Sequence, residues 1–254
     1  MSKVEQQKEF WNARAAQFAS NQKVNEEPIP NAVAHWLEEQ GALSEQHEWL
    51  EIGAGAGRYT IPFALRTKHV TATDISSEML KHLTTFAEQF EISTITTVET
   101  GWPPTVAISP HDYTFAAMVP VIGSFESLQQ MDDFSRKGVY IARFHRTSDQ
   151  FIDGLPVEAQ IQVFEGDPHN DVACIESIVD TATTLLGRTV QTKIFESITT
   201  DELTEEQAIA RYAKLKERLP EVYAQLVNAV SAVAVQGKVQ LERRVGLTVI
   251  YWEK

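Results

Sequence analysis

The chain of 254 residues contains one cysteine, Cys174. A single thiol rules out an intrachain disulfide framework, metal sites built from several cysteines and iron–sulfur ligation. Long apolar runs are missing too. No stretch approaches the roughly 18 apolar residues of a membrane-spanning helix. The opening segment MSKVEQQKEFWNARAAQF is charged and amphipathic and has no apolar signal-peptide centre. A cytoplasmic protein with no membrane partner is the expectation. Positive charge is scarce: 22 Lys and Arg stand against 35 Asp and Glu, a formal net charge of −13. Such a surface repels a phosphate backbone, and the basic groups are short ones, Arg143/Arg146 and Arg243/Arg244. Nucleic acid is therefore not expected as a partner. The seven histidines are scattered and suggest no metal site.

What is present is core-forming material, 43% hydrophobic residues, and a regular alternation of patterns. Helical periodicity covers 3–19, with Val4, Phe10, Trp11, Ala15 and Phe18 roughly on one side. Pro28 and Pro30 read as breakers, and a helix follows over 31–40. Strand patterns then recur at 48–52, 69–73, 94–98, 113–118 and 139–144, separated by helical patterns near 57–66, 76–90 and 124–136. That alternation predicts a doubly wound, mostly parallel α/β sheet. A helix near 171–186, a strand at 189–194 and the β-rich close RRVGLTVIYW complete seven strands, the last one antiparallel. Thr204 and Gln207 have capping-box spacing, and Pro220 suits a first helical turn. The organisation expected is one domain over 1–254. Its parts are a helical cover at 1–40, an α/β core at 41–199 and 238–254, and a helical insertion at 200–237.

Between the first strand and the helix after it the chain reads EWLEIGAGAGRYTIPFA. Glycine lets the backbone reach positive φ and come close to a ligand, because it has no Cβ. Where such a turn opens a helix, free N–H groups and the helix dipole favour an anionic group. The dinucleotide fingerprint G-x-G-x-x-G does not fit, since Gly57 comes one residue early and position 58 is Arg. Seventeen residues after Gly57, Asp74 ends the second strand. A carboxylate there can accept from both hydroxyls of a ribose.

Glu51 to Gly57, E-x-G-x-G-x-G, resembles motif I of the class I methyltransferases that use S-adenosylmethionine, in particular the small-molecule enzymes of the type 11 group. FWNARAAQFA at 10–19 resembles the W-x-x-R-A helix before many such domains. VETGW at 98–102 resembles the loop that borders the adenine, and HDYTFAAMVP at 111–120 resembles motif IV. The resemblance implies a Rossmann-like methyltransferase sheet with S-adenosylmethionine as cofactor. It also implies a donor site of Glu51, Gly53, Ala54, Gly55, Gly57, Asp74, Ile75, Met79, Gly101, Trp102, Ala117 and Met118. Trp11 and Arg14 join that site if the first helix folds over the cleft as a mobile cover hinged in the polar stretch 21–27; otherwise they pack. Trp102 either stacks on the adenine or fills core.

Departures from the family narrow the acceptor. Met118-Val119-Pro120 is not the N-P-P-Y of enzymes that methylate exocyclic amines of bases, and no Pro-Cys pair provides the nucleophile of cytosine-C5 enzymes. A small-molecule acceptor is expected, methylated by in-line displacement. No general base stands out. His145, past the fifth strand, is a weak candidate, and His111 reads as structural. Two alternatives stay open: a non-catalytic protein that senses S-adenosylmethionine or its product, and a nicotinamide-dependent oxidoreductase.

Overall fold

The computed structural model of the protein describes residues 2–22 and 26–254. In chain order the elements are α1 (Lys3–Asn12), α2 (Ala15–Ser20), α3 (Pro28–Glu39), β1 (Glu48–Ile52), α4 (Thr60–Ala64), β2 (His69–Asp74) and α5 (Ser77–Gln89). They continue with β3 (Ile95–Glu99), β4 (His111–Ala117), α6 (Phe125–Asp133), β5 (Ser135–Asp149), α7 (Gln150–Asp153), α8 (Val157–Phe164) and α9 (Val172–Thr184). The last are β6 (Gln191–Thr204), α10 (Glu205–Ala210), α11 (Leu215–Arg218), α12 (Pro220–Val233) and β7 (Lys238–Glu253).

The strands form one seven-stranded sheet in the order β3-β2-β1-β4-β5-β7-β6. The pairs β2–β3, β1–β2, β1–β4 and β4–β5 are parallel. The last strand is antiparallel, as expected. Lys254 N donates to Lys137 O, whereas further along the pair Gly246 lies against His145. The sheet order reverses between β1 and β4, which places the ends of β1, β2 and β4 around the crevice where open α/β sheets bind ligands.

The chain divides into two compact units. The first holds residues up to Arg143, Ala173–Phe195 and Thr248–Lys254; the second holds Phe144–Val172 and Glu196–Leu247. Strands β5, β6 and β7 each run from one unit into the other, 14 to 16 residues long. These boundaries differ from the expected insertion at 200–237. The strands run on past the expected ends, and the second unit also takes in α7 and α8, which the sequence patterns missed. Both are short, and nothing periodic announces four or eight residues.

In the first unit the strand period of two separates the faces cleanly. On one side Ile52, Ala116, Val139, Ile141, Ile250 and Trp252 pack with Leu128 and Met131 of α6 and Ile175, Ile178 and Ala182 of α9. On the other, Trp49 stacks on Tyr113 at 4.8 Å and meets Phe63 of α4, and Trp36 of α3 meets Tyr140 and Tyr251. The second unit has its own core, in which Leu226 and Val230 of α12 pack with Tyr212, Phe151, Val239 and Leu241.

Two readings of the N-terminal region are corrected. Pro28 and Pro30 do not break the chain but open α3, because the first N–H groups of a helix have no intrahelical acceptor to lose. The helix expected over 3–19 is two helices. Arg14 N bonds to Trp11 O, and Phe10 O is taken by the Arg14 guanidinium instead of a main-chain donor. The proposed hinge at 21–27 falls partly on residues 23–25, outside the described residues. The capping box Thr204–Gln207 and the opening of α12 by Pro220 are both present.

One buried acid ties the C-terminal end of β7 to the first core. Asp132 Oδ1 accepts from Trp252 Nε1 at 2.7 Å, and Oδ2 accepts from the Arg188 guanidinium at 2.6 Å with Lys254 Nζ at 3.2 Å. Burial pushes this carboxyl up, but the donors more than offset it and hold it below its ordinary value. A carboxyl lower in the folded than in the unfolded chain adds stability above its unfolded pKa, and that stability is lost as pH falls through the folded value. Asp132→Ala should therefore cost about 3 kcal/mol in urea unfolding at neutral pH. The gap from the parent chain should narrow below about pH 4, where the unfolded carboxyl protonates.

Candidate active site

The turn after β1 is built from residues that tolerate a backbone no other side chain would. Gly53, Gly55 and Gly57 all have positive φ. Their surroundings differ in a useful way. A Cβ on Gly57 would lie 2.3 Å from Leu83 Cδ1, so this glycine exists to let α5 pack closely. A Cβ on Gly55 would meet nothing within 4 Å. Here the open space beside a positive-φ backbone is a cradle, not a packing contact.

Asp74 holds that cradle from the end of β2. Its Oδ2 accepts from Gly55 N and its Oδ1 accepts from Ser76 N, both at 2.8 Å. Ala54 N donates to Thr73 O and Thr100 N to Asp74 O, so the ends of β1, β2 and β3 are fastened together by main chain. Burial pushes the Asp74 carboxyl above its ordinary range, and the N–H groups of Ser76, Gly55 and Ile75 pull part of that back. Each oxygen keeps acceptor capacity beyond the single bond it makes.

Glu51 lies behind the turn, 2% exposed, and Thr60 Oγ1 donates to its Oε2 at 2.6 Å. Burial pushes its carboxyl up to about 8, against the pull of the Thr60 hydroxyl, with a smaller push from the Asp74 charge. Near neutrality this acid is largely protonated.

The remaining residues of the expected site divide into three groups. Ile75 lies beside Gly101, whose Cβ would come 3.7 Å from Ile75 Cδ1. Met118, at positive φ after β4, donates its N–H to Ala142 O, just past Ala117, the last residue of β4. Val119 reaches the first glycine, where a Cβ on Gly53 would lie 2.5 Å from Val119 Cγ2. The loop after β4 and the glycine turn are therefore in contact. Met79 is buried with Ala56, Ala15 and Ala19, and Trp11 packs on the same group.

Trp102 is turned to the core. Its ring lies 5.5 Å from Phe134, and its Nε1 approaches Ser127 O at 3.4 Å. Arg14 is exposed and folded on Phe10, its Cζ 3.5 Å from the ring centroid. His145 belongs to the second unit, whereas every other expected site residue belongs to the first. Its ring rests against Gly246, where a Cβ would come 2.4 Å from Nε2, and burial holds its pKa below the ordinary value. His111 is buried, its Nε2 2.8 Å from Thr71 Oγ1, a structural histidine as read from the sequence.

Two contributors escaped the sequence reading. Thr60 is the partner of Glu51, and Asn12 Oδ1 accepts from Ser76 Oγ at 2.6 Å and lies 3.3 Å from Glu78 N, at the start of α5. Asn12 thus fastens α1 to the helix that follows Asp74. Asparagine is a frequent cap, but one that acts across 64 residues leaves no local spacing to read.

A sheet with its reversal between β1 and β4, a glycine cradle and an acid ending β2 define a class I methyltransferase fold, and comparison agrees. Residues 50–137 match the family model described as a methyltransferase domain. No curated protein matches the sequence. Among solved structures the chain is similar to magnesium protoporphyrin IX methyltransferase from Synechocystis PCC 6803 with bound SAM. The TM-score is 0.53 at 12% identity, covering 98% of this chain and 97% of that one. It is also similar to precorrin-6y C5,15-methyltransferase from Geobacter metallireducens GS-15, with TM-score 0.52 at 12% identity, covering 91% and 92%. At such identities the likeness is one of fold. Residues 50–137 thus match a methyltransferase domain, set within the fold of the methyltransferases above.

The buried acid makes a testable statement about pH. A carboxyl whose folded pKa lies above its unfolded value favours folding in acid, and that contribution fades as pH rises from the unfolded to the folded value. Between about pH 4.5 and 8 Glu51 should therefore weigh progressively against the fold. Glu51→Gln keeps an acceptor for Thr60 without the charge. It should be stabilising at pH 8, on the order of 3 kcal/mol, and near neutral in effect at pH 4. Denaturant unfolding at the two pH values measures both.

Proposed function

We propose that the protein transfers a methyl group from S-adenosylmethionine to a small-molecule acceptor. The observation that carries this reading is the Gly55 cradle held by Asp74, an open glycine turn with an acceptor-rich carboxylate at its side. When bound, S-adenosylmethionine supplies a methyl on a positively charged sulfur, reactive enough that the protein's main tasks are positioning and water exclusion. Asp74 would accept from the ribose hydroxyls, and Gly53, Ala54, Gly55 and Gly57 would let the backbone approach. Glu51 would stand as the acid nearest the cationic end. Ile75, Met79 and Gly101 would border the adenosine, and Ala117 and Met118 would face the methyl; Trp102, turned to the core, would not. Trp11 and Arg14 would join the site only by leaving their present partners, Phe10 and Phe18.

A small-molecule acceptor is supported by the surplus of 13 negative charges, by the loop Met118-Val119-Pro120 and by the tetrapyrrole substrates named for structures of the same fold. Nucleic acid would meet a repelling surface. The cytoplasm is the compartment proposed, where a lone thiol is kept reduced. No side chain is assigned as general base. His145 remains the one candidate, and a base is required only for an acceptor that must lose a proton.

Two measurements test the reading. Calorimetry with S-adenosylhomocysteine should show saturable binding that Asp74→Ala weakens about 5- to 150-fold, the loss of hydrogen bonds to a charged group. Transfer of label from S-adenosylmethionine to a metabolite fraction, absent in Asp74→Ala, would establish catalysis. Binding with no transfer to any fraction would leave a sensor.

A further inference from the structure

The second unit contains a cavity of about 600 Å³ that the donor site does not use. Its wall comes from the end of β5, from the loop after α8, and from the segment joining α10 to α11. The volume lies within the range that holds a drug-sized molecule.

Two sides of the cavity are built rigidly. Asp149, 3% exposed, accepts from the N–H groups of Phe151 and Ile152 and from the Tyr212 hydroxyl at 2.9 Å. In the opposite loop Asp167 accepts from His169 N and from Asn170 Nδ2, and Asn170 exchanges hydrogen bonds with the main chain of Thr147. Both acids are thus occupied by internal donors. Arg218 is occupied as well, donating to the carbonyls of Val163 and Glu165 at the end of α8.

What is left unmatched points to a ligand. Arg211 and Lys214 line the cavity and have no carboxylate within ion-pair distance among the described residues. Both residues are exposed, so their charged ends are open to an incoming anion, and Glu165 is an acid of the same lining. Ile152, Val163 and Leu215 give the same cavity an apolar part.

We propose that this cavity is a binding site for a small amphipathic carboxylate, with the anion against Arg211 and Lys214 and the apolar body against Ile152, Val163 and Leu215. The proposal does not depend on the methyl donor or on Asp74.

Three carboxylates of different shape, phenylpropionate, octanoate and indole-3-acetate, can each be titrated against the whole protein by calorimetry, alongside their primary amides. At least one carboxylate should bind saturably and at least tenfold more tightly than its amide. The exposed-side variant Arg211→Ala/Lys214→Ala should lose at least tenfold of that affinity with an unchanged thermal midpoint. No saturable binding by any of the three, equal binding of acid and amide, or full affinity in the double variant would overturn the assignment. Binding of S-adenosylhomocysteine should be the same in the double variant and the parent chain, so failure of the cavity and failure of the donor site are read separately.

Discussion

The Asp74 carboxylate is the constraint around which the candidate site is organised. One oxygen holds Gly55 N–H in the turn after β1, and the other holds Ser76 N–H at the start of α5. A single side chain therefore sets the spacing between two strand ends and the helix that follows. Hydrogen bonds to a charged acceptor are among the stronger polar contacts in a protein. Buried as Asp74 is, losing one of them would leave a main-chain donor unsatisfied at the point where the backbone can least adjust. The same residue then has lone pairs left to offer a ligand. On the proposed reading its structural and binding roles would not be separable.

Around that bridge, crowding does the work that hydrogen bonds do not. Gly57 admits Leu83, and Gly53 admits Val119, each at a distance where a methyl group would collide. Leu83 is fully buried on α5, and Val119 packs against the core beneath α6 and α9. The turn is therefore wedged from two sides, while Gly55 between them faces space. Preorganisation of this kind lowers the entropy that binding must overcome, because the backbone is already where a ligand needs it. Asn12 adds a remote fastening through Ser76 and so couples α1 to the same helix start.

Much of this could be read from residues in order. The β-α alternation predicted the sheet, and four strand positions, β1 to β4, agree with the structure to within a few residues, because each strand is a short apolar run bounded by turn residues. Motif I and Asp74 were legible for the same reason: the glycines and the acid are separated by a fixed β-α-β unit. Legibility failed where structure depends on contacts distant in sequence. Strand β5 runs to Asp149 and β7 begins at Lys238, well outside the patterns that announced them, because pairing between long antiparallel neighbours sustains residues of weak β propensity. Pro28 and Pro30 were read for what proline forbids inside a helix, when their position was the first turn, where nothing is forbidden. Trp102 was undecidable in sequence and is committed to the core by Phe134, a residue 32 places away.

Glu51 closes the physical account of the site. An uncharged residue in its place would spare the fold the desolvation of a carboxyl that, among the described residues, has the Thr60 hydroxyl as its side-chain donor and no ion-pair partner. A core position that carries such a cost is explained when the charge is needed by something outside the core. A cationic ligand arriving at the turn would face an acid poised to ionise, and the proton would leave as the ligand bound. Burial pushes both acids up, and their different donors set them apart. Asp74 accepts from the N–H groups of Gly55 and Ser76, whereas Glu51 has the Thr60 hydroxyl and is pushed up to about 8. On the proposed reading, that difference would let one pocket hold hydroxyls at Asp74 and meet a cation at Glu51.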